Sequence, residues 1–167
     1  YGVQTVVVPS HLPCRRDDQP TRLYATSDQR DAAVAALVGE ASGDGRPVLV
    51  ATQSVRESER IAGLLRAVGL DCVLLNARNA TEEAAIISEA GSAGRITVST
   101  QMAGRGTDVV LSKDAAAAGG LLVVGVGRFA SARLDGQLRG RAGRQGDPGE
   151  SVFLASLEDR LVTDNDP

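Results

Sequence analysis

The chain has 167 residues, 43 % of them hydrophobic, enough for one domain with a real core and a tight fit for two. A formal net charge of −3 and a pI near 5.2 argue against a general nucleic-acid surface, and the four aromatics, Tyr1, Tyr24, Phe129 and Phe153, make a poor stacking platform for single strands. No apolar run of about 18 residues is present and no basic-then-apolar leader, which points to a cytosolic chain, while Cys14, Cys72 and the single His11 lack the spacing of a disulfide framework or a zinc site.

Short β-branched runs alternate with longer Ala/Leu/Glu-rich stretches, the rhythm of an α/β domain whose parallel sheet is covered by helices. The spacing predicts a strand over 5–9, then an irregular connector over 10–26 carrying Pro13 and Pro20. A helix follows, capped by Ser27 and stopped at Gly43, where glycine accepts a left-handed conformation. Strands are predicted over 47–52, 72–76, 95–100, 121–126 and 151–157. Helices are predicted from Ser54 to Gly69, over 81–91 and over 131–143. The expected organisation is an N-terminal strand and connector over 1–26, the main domain over 27–157, and over 158–167 the start of a capped helix leading to a further domain. In such sheets ligands bind beyond the carboxyl ends of the strands, which here points to 52–56, 100–108 and 127–146.

Two stretches carry unusual chemistry. Gly136 to Arg144 packs three arginines and three glycines into nine residues. On a continuous helix Gln137, Arg141 and Arg144 share a face, Arg139 points the other way, and Gly136, Gly140 and Gly143 form a stripe that something must approach closely. A planar, permanently charged guanidinium suits phosphate oxygens; the alternative is a solvated arginine face paired with Asp135 and Asp147, which leaves the glycines unexplained. The second stretch, "STQMAGRGTDVVL", leaves the strand ending at Thr100. Gly104 and Gly106 bracket Arg105 in a tight turn whose amides can face an anion, and Asp108 is placed to orient Arg105, to bind an arginine across the site or to hold a metal-bound water. Taken alone this turn reads equally well as an ordinary strand-to-helix connection. The only lysine, Lys113, follows a serine rather than a glycine, so the chain has no phosphate-binding P-loop. His11 reads as an exposed connector residue and Cys72 as a small apolar residue of a buried strand.

"TQMAGRGTDVVL" followed by "GGLLVVGVGRFASARLDGQLRGRAGRQGDPGESVFLASLED" resembles the second nucleotide-binding domain of the SecA motor ATPases of bacterial protein export. "TVVVPSHLPCRRDDQP", "GRPVLVATQSVRESE" and "VLLNARNATEEAAIISEAG" match its earlier blocks in order, so the resemblance covers essentially the whole chain. It implies a RecA-like three-layer domain lacking the P-loop, with ATP or ADP and Mg2+ shared with a first nucleotide-binding domain. Arg105, Arg141 and Arg144 are implied as the catalytic arginines, the last two in finger-type roles. Gly104, Gly106, Asp108, Gln137 and Gln145 are implied as nucleotide contacts, and no metal ligand is implied in this chain. The implied partners are the first nucleotide-binding and preprotein-binding domains of the same polypeptide, a SecYEG-type channel and preproteins, with no specific nucleic acid. The implied location is cytoplasmic and peripherally membrane-associated. Where the family commonly reads Gly-Thr-Glu-Arg-His-Glu-Ser-Arg-Arg, this chain reads "GVGRFASAR", keeping Arg128, Ser131 and Arg133, and Gly136 and Gln101 replace usual asparagines. These departures point to an accessory member exporting a restricted substrate set. The competing readings are the C-terminal half of a nucleic-acid helicase, which shares Gln-x-x-Gly-Arg-x-Gly-Arg, and an interaction domain that has lost nucleotide chemistry, against which the retained arginines argue.

Overall fold

A computed structural model of the chain describes residues 6, 8, 11–75, 83–100 and 108–164. The strand predicted over 5–9 lies outside the fully described residues. Among the described residues a seven-stranded, all-parallel sheet forms the middle layer. Its strands are β1 (Arg15–Asp18), β2 (Arg22–Tyr24), β3 (Val48–Thr52), β4 (Val73–Leu75), β5 (Ile96–Thr100), β6 (Leu121–Val126) and β7 (Pro148–Ser156). The order is β1-β7-β6-β3-β5-β4, with β2 pairing further along the same edge of β7. β3 sits at the centre, between β5 and β6.

Alternation along the central strands divides the core in two. Val48, Val50, Val98, Leu122, Val124 and Leu154 pack under α1 (Ser27–Gly43) and α2 (Val55–Ala67), which contribute Val34, Val38, Ile61 and Leu65. The intervening Leu49, Ala51, Leu121, Val123 and Phe153 face the opposite layer and meet Leu138 of α5 (Ala132–Arg139) and Ala142 just beyond it. The remaining helices are short: α3 (Glu83–Glu89), α4 (Lys113–Ala117) and α6 (Arg160–Thr163). Burial of both sheet faces explains why these strands read as continuous apolar runs.

Several local expectations are corrected. The connector over 10–26 contains β1 and β2, whose polar residues show no apolar pattern because they add to the exposed edge of β7. Thr26, not Ser27, caps α1, its Oγ1 accepting from the amide of Gln29 at 3.2 Å. The left-handed glycine beyond α1 is Gly45 (φ 82°), two residues after Gly43. α2 begins as expected, with Ser54 Oγ accepting from the Glu57 amide at 3.2 Å, and Gly69 (φ 85°) closes it. β7 starts at Pro148, three residues earlier than predicted, and α4 was not anticipated. At α6 the N-cap, Asp159, makes no side-chain capping bond to the helix.

Asp159 is instead drawn into a buried ionic cluster. Arg30, 3 % exposed, binds Asp31 at 2.9 Å and also Asp159, and Arg60 of α2 reaches Asp31 from its other side. The Ser156 amide donates to Asp159 at 2.9 Å, so α1, α2 and the end of β7 are joined through the guanidiniums of Arg30 and Arg60. Burial at the edge of this cluster pushes the Glu57 carboxyl above the ordinary glutamate range, opposed by the bond it accepts from the Gln53 amide. His11 is exposed as expected, and Cys72 is buried, which raises its thiol.

At the sheet edge Arg16 holds the Asp18 carboxylate through Nε at 2.7 Å and Nη2 at 2.8 Å, and Ser151 Oγ donates to it at 2.6 Å. These contacts, the Arg16 bond first, bring the Asp18 pKa down to about 2. A folded pKa below the unfolded one, about 3.9 for Asp, gives stability that is full above that value and lost as pH falls towards 2. Asp18→Asn is therefore expected to cost about 1 kcal/mol at pH 7, the screening of a partly exposed pair included. In urea melts at stepped pH that deficit narrows between about pH 4 and pH 2.

Candidate functional site

The carboxyl ends of the strands lie at one edge of the sheet, and β6 leads there into α5. Gly127 (φ 72°) turns the chain, and its amide donates to Leu154 O at 2.7 Å. Asp135, 4 % exposed, then accepts from the Phe129 amide at 3.0 Å and from Arg128 Nε at 2.7 Å, tying α5 to the loop that delivers it. Ser131 caps the helix through the Leu134 amide at 3.4 Å.

α5 ends at Arg139, and this corrects the expected continuous helix over 131–143. Gly140 is its C-cap, the Arg141 and Ala142 amides bond three residues back to Leu138 and Arg139, and Gly143 turns left-handed at φ 65°. Two glycines in four residues weaken the helix, and β7 must begin only five residues after Gly143. Gln137 therefore sits exposed on the helix, while Arg141 and Arg144 follow in irregular backbone and share no helical face with it.

The glycine stripe is corrected as well. A Cβ at Gly136 would meet nothing within 4 Å, and one at Gly140 would meet only the preceding turn of its own helix. Gly143 alone is closely approached, by β1: a Cβ there would lie 2.5 Å from Arg16 Cβ. The glycine needed for contact serves the sheet edge.

Arg144 opens a short 3-10 turn, Arg144–Gly146, in which Gln145 (φ 50°) and Gly146 (φ 84°) are both left-handed. Arg144 Nε donates back to Gly140 O at 2.7 Å, and Nη1 donates to Asp108 Oδ1 at 2.8 Å. Gln145 Nε2 donates to Asp108 Oδ2 at 3.1 Å. The structure thus joins three predicted residues, Asp108, Arg144 and Gln145, in one half-exposed cluster. Arg141 is half-buried and lines a cavity of about 20 Å³ with Thr97, Ser99, Val109 and Leu138. Gly104, Arg105 and Gly106 lie outside the described residues.

Arg139, the last residue of α5, turns into the sheet. Its Nη1 donates to Ser151 Oγ at 2.7 Å, lies 3.5 Å from Asp18, and its guanidinium carbon stands 4.9 Å from the Phe153 ring centroid. Sequence reasoning did not find the structural pairing of Arg128 with Asp135; the signal was an aspartate in the first turns of a predicted helix, seven residues after an arginine.

Comparison with known proteins decides the family. The SecA P-loop domain model matches residues 13–117 and 111–165. The chain belongs to the SecA family. It is 54 % identical over its whole length to "Protein translocase subunit SecA 2" of Thermobifida fusca, covering 23 % of that protein. It is 50 % identical over 97 % of its length to the SecA 2 of Corynebacterium jeikeium, covering 22 % of it, and 44 % identical over 97 % to the SecA of Nitratidesulfovibrio vulgaris, covering 19 %. The chain thus spans about a fifth of the length of these SecA relatives. Among solved structures it resembles the E. coli DEAD-box protein SrmB, with a TM-score of 0.68 over 92 % of this chain and 83 % of that one. It also resembles Mss116p DEAD-box helicase domain 2, with a TM-score of 0.64 over 90 % of this chain and 59 % of that one. Identities of 17 % and 15 % to these two make the likeness one of fold, the RecA-like α/β architecture.

The two arginines of the helix end are expected to separate in a stability measurement. Arg139→Ala loses a hydrogen bond and a ring contact inside the fold and should cost about 1–2 kcal/mol in urea unfolding. Arg144→Ala removes a half-exposed pair and should stay within about 0.5 kcal/mol of the parent chain.

Proposed function

We propose that this domain is the second nucleotide-binding half of a SecA-type protein-translocating ATPase, completing in trans an ATP site whose P-loop belongs to a first nucleotide-binding domain. The observation that carries this reading is the gathering of Asp108, Arg144 and Gln145 into one half-exposed cluster, in the turn that enters β7 at its amino end rather than beyond the carboxyl ends of the strands, in a SecA-family chain that has no P-loop lysine of its own. In this reading Arg105, Arg141 and Arg144 serve the phosphates, with Gly104, Gly106, Asp108, Gln137 and Gln145 completing the nucleotide site. Mg2+ would enter with the nucleotide, shared with the first nucleotide-binding domain, and would supply charge stabilisation of the phosphates; here the Asp108 carboxylate is turned to Arg144 and Gln145.

The chemistry asked of Arg144 is electrostatic. Charge on the terminal phosphoryl oxygens redistributes as the bond to the leaving group breaks, and a planar fork aimed at those oxygens stabilises that state more than the resting nucleotide. Hydrolysis then couples to closure of the two halves. The SecA relatives, four to five times longer than this chain, support a place for it within a larger polypeptide with a preprotein-binding domain. That polypeptide would act on preproteins at a SecYEG-type channel, from the cytoplasm and peripherally on the membrane. The altered "GVGRFASAR" segment, together with the higher identity to relatives named SecA 2, supports an accessory role.

Steady-state ATPase measurements test this reading. The isolated chain should hydrolyse nothing above background. In the intact protein Arg144→Ala should lower turnover by roughly 10³-fold or more, leave ADP affinity nearly unchanged and resist rescue by lysine, whose point charge does not reproduce a bidentate fork. Equal losses at Arg139 and Arg144 overturn it.

The helicase fold predicts a different partner, and a titration of labelled single- and double-stranded RNA at physiological salt separates the two. Non-specific binding no tighter than about 10⁻⁶ M fits the translocase reading; submicromolar affinity favours a helicase.

A further inference from the structure

We propose that Asp108 is a positioning residue: it acts on the phosphate chemistry through the Arg144 guanidinium rather than by touching the nucleotide. The proposal rests on the reading of Arg144 as the phosphate-facing arginine and assigns Asp108 a different task from that of a nucleotide ligand.

The turn that carries Arg144 has little to define its own shape. α5 has ended at Arg139, Gly143 and Gly146 are both left-handed, and Gln145 adopts a left-handed conformation that a side chain disfavours. Backbone of this kind persists where its surroundings hold it. Beside the packing of Gly143 on β1, Asp108 supplies a side-chain hold from a different part of the chain, the connection that follows β5. One carboxylate oxygen accepts from Arg144 Nη1 at 2.8 Å and the other from Gln145 Nε2 at 3.1 Å, so two consecutive side chains of the turn end on one group. The Arg144 Nε bond to Gly140 O, at 2.7 Å, fixes a second point on the same planar guanidinium. Two in-plane bonds set both the position and the tilt of the fork, and the five N–H donors of a guanidinium leave it able to bind a phosphate at the same time.

Charge argues in the same direction. A carboxylate facing polyphosphate repels it, whereas one neutralised by an arginine at hydrogen-bond distance does not. Engaged on both oxygens, the Asp108 carboxylate meets an arriving anion as one half of an ion pair rather than as a bare negative charge.

The test is a double-mutant cycle in the intact ATPase, with turnover and nucleotide affinity measured separately. Asp108→Ala should lower kcat by roughly 10²-fold, the scale of an ångström misplacement of a catalytic group, while ADP and non-hydrolysable ATP analogue affinities stay within about twofold. Asp108→Asn, which keeps an acceptor for Arg144 but loses the charge, should fall between. In the Arg144→Ala background Asp108→Ala should have no further effect, since a residue acting through another is silent once that partner is gone. Loss of nucleotide affinity, additive losses, or a rise in turnover on removing Asp108 would each overturn the proposal. Should Arg144→Ala leave turnover intact, the phosphate-facing reading fails, and the clamp is judged by ¹⁵N NMR of the 167-residue chain. An Arg144 guanidinium with hindered rotation that becomes freely mobile in Asp108→Ala, with the backbone spectrum otherwise kept, supports it; unchanged mobility sinks it.

Discussion

The placement of everything around the candidate site depends on one ring, Phe153 of β7. Its side chain is fully buried in the layer that receives α5, and Gly125, its register partner on β6, makes the space: a Cβ at Gly125 would lie 2.3 Å from a ring carbon. Phe129 meets the ring edge-on, with centroids 6.3 Å apart and planes at 82°. Arg128 and Arg139 place their guanidinium carbons 5.2 Å and 4.9 Å from its centroid. Arg128 precedes α5 and Arg139 ends it, so both ends of the helix are referenced to the same ring. Each cation–ring contact is worth only about 0.5–2 kcal/mol, but together with burial of Leu138 and Ala142 they leave α5 one seat on the sheet. Arg144 follows that fixed end by five residues.

Seating the helix on a ring also explains why its arginines divide into two kinds. Arg128 and Arg139 are consumed by the fold, the first by Asp135 and Thr21, the second by Ser151 and the neighbourhood of Asp18. Arg144, past the helix end, is satisfied by a carbonyl of its own turn and by a half-exposed carboxylate. An arginine-rich motif of one appearance in sequence thus separates into internal struts and a group at the edge of the sheet, and the separator is where the helix stops.

That stop is also where reading the sequence ran out. The central strands were legible because β3, β5, β6 and β7 are covered on both faces, and continuous Val/Leu/Ile runs state that plainly. The starts of α2 and α5 were legible to within a residue, and there Ser54 and Ser131 accept from the amides of Glu57 and Leu134. β1 and β2 were not, because "RRDD" and "RLY" take their strand conformation from pairing with β7 and carry no apolar pattern of their own. The end of α5 was hidden for a related reason. Gly140 and Gly143 were counted as costs inside a helix, when Gly143 is left-handed and lies against β1, a strand that had not been foreseen. Missing the edge strand and overrunning the helix were a single error. Three of the residues named from motif, Asp108, Arg144 and Gln145, nonetheless meet in space.

The distribution of charge bears on what the surface of this chain can bind. About half of the described arginines are answered by carboxylates of the same chain, among them Arg16 by Asp18, Arg30 by Asp31 and Asp159, Arg46 by Glu150, Arg95 by Glu89 and Arg128 by Asp135. A duplex or single strand gains affinity by replacing counterions with protein cations, and cations already paired internally contribute little to that exchange. The pairs also differ in what they would yield. Arg30 with Asp31 is buried, and losing one partner would strand a charge at a cost of several kcal/mol. Arg144 and Asp108 are each 37 % exposed, a pairing worth at most about 1 kcal/mol. A weak, half-exposed pair orders a guanidinium without sequestering it, which is the condition under which an arginine can be held in place by the protein and still answer to an anion arriving from outside the domain.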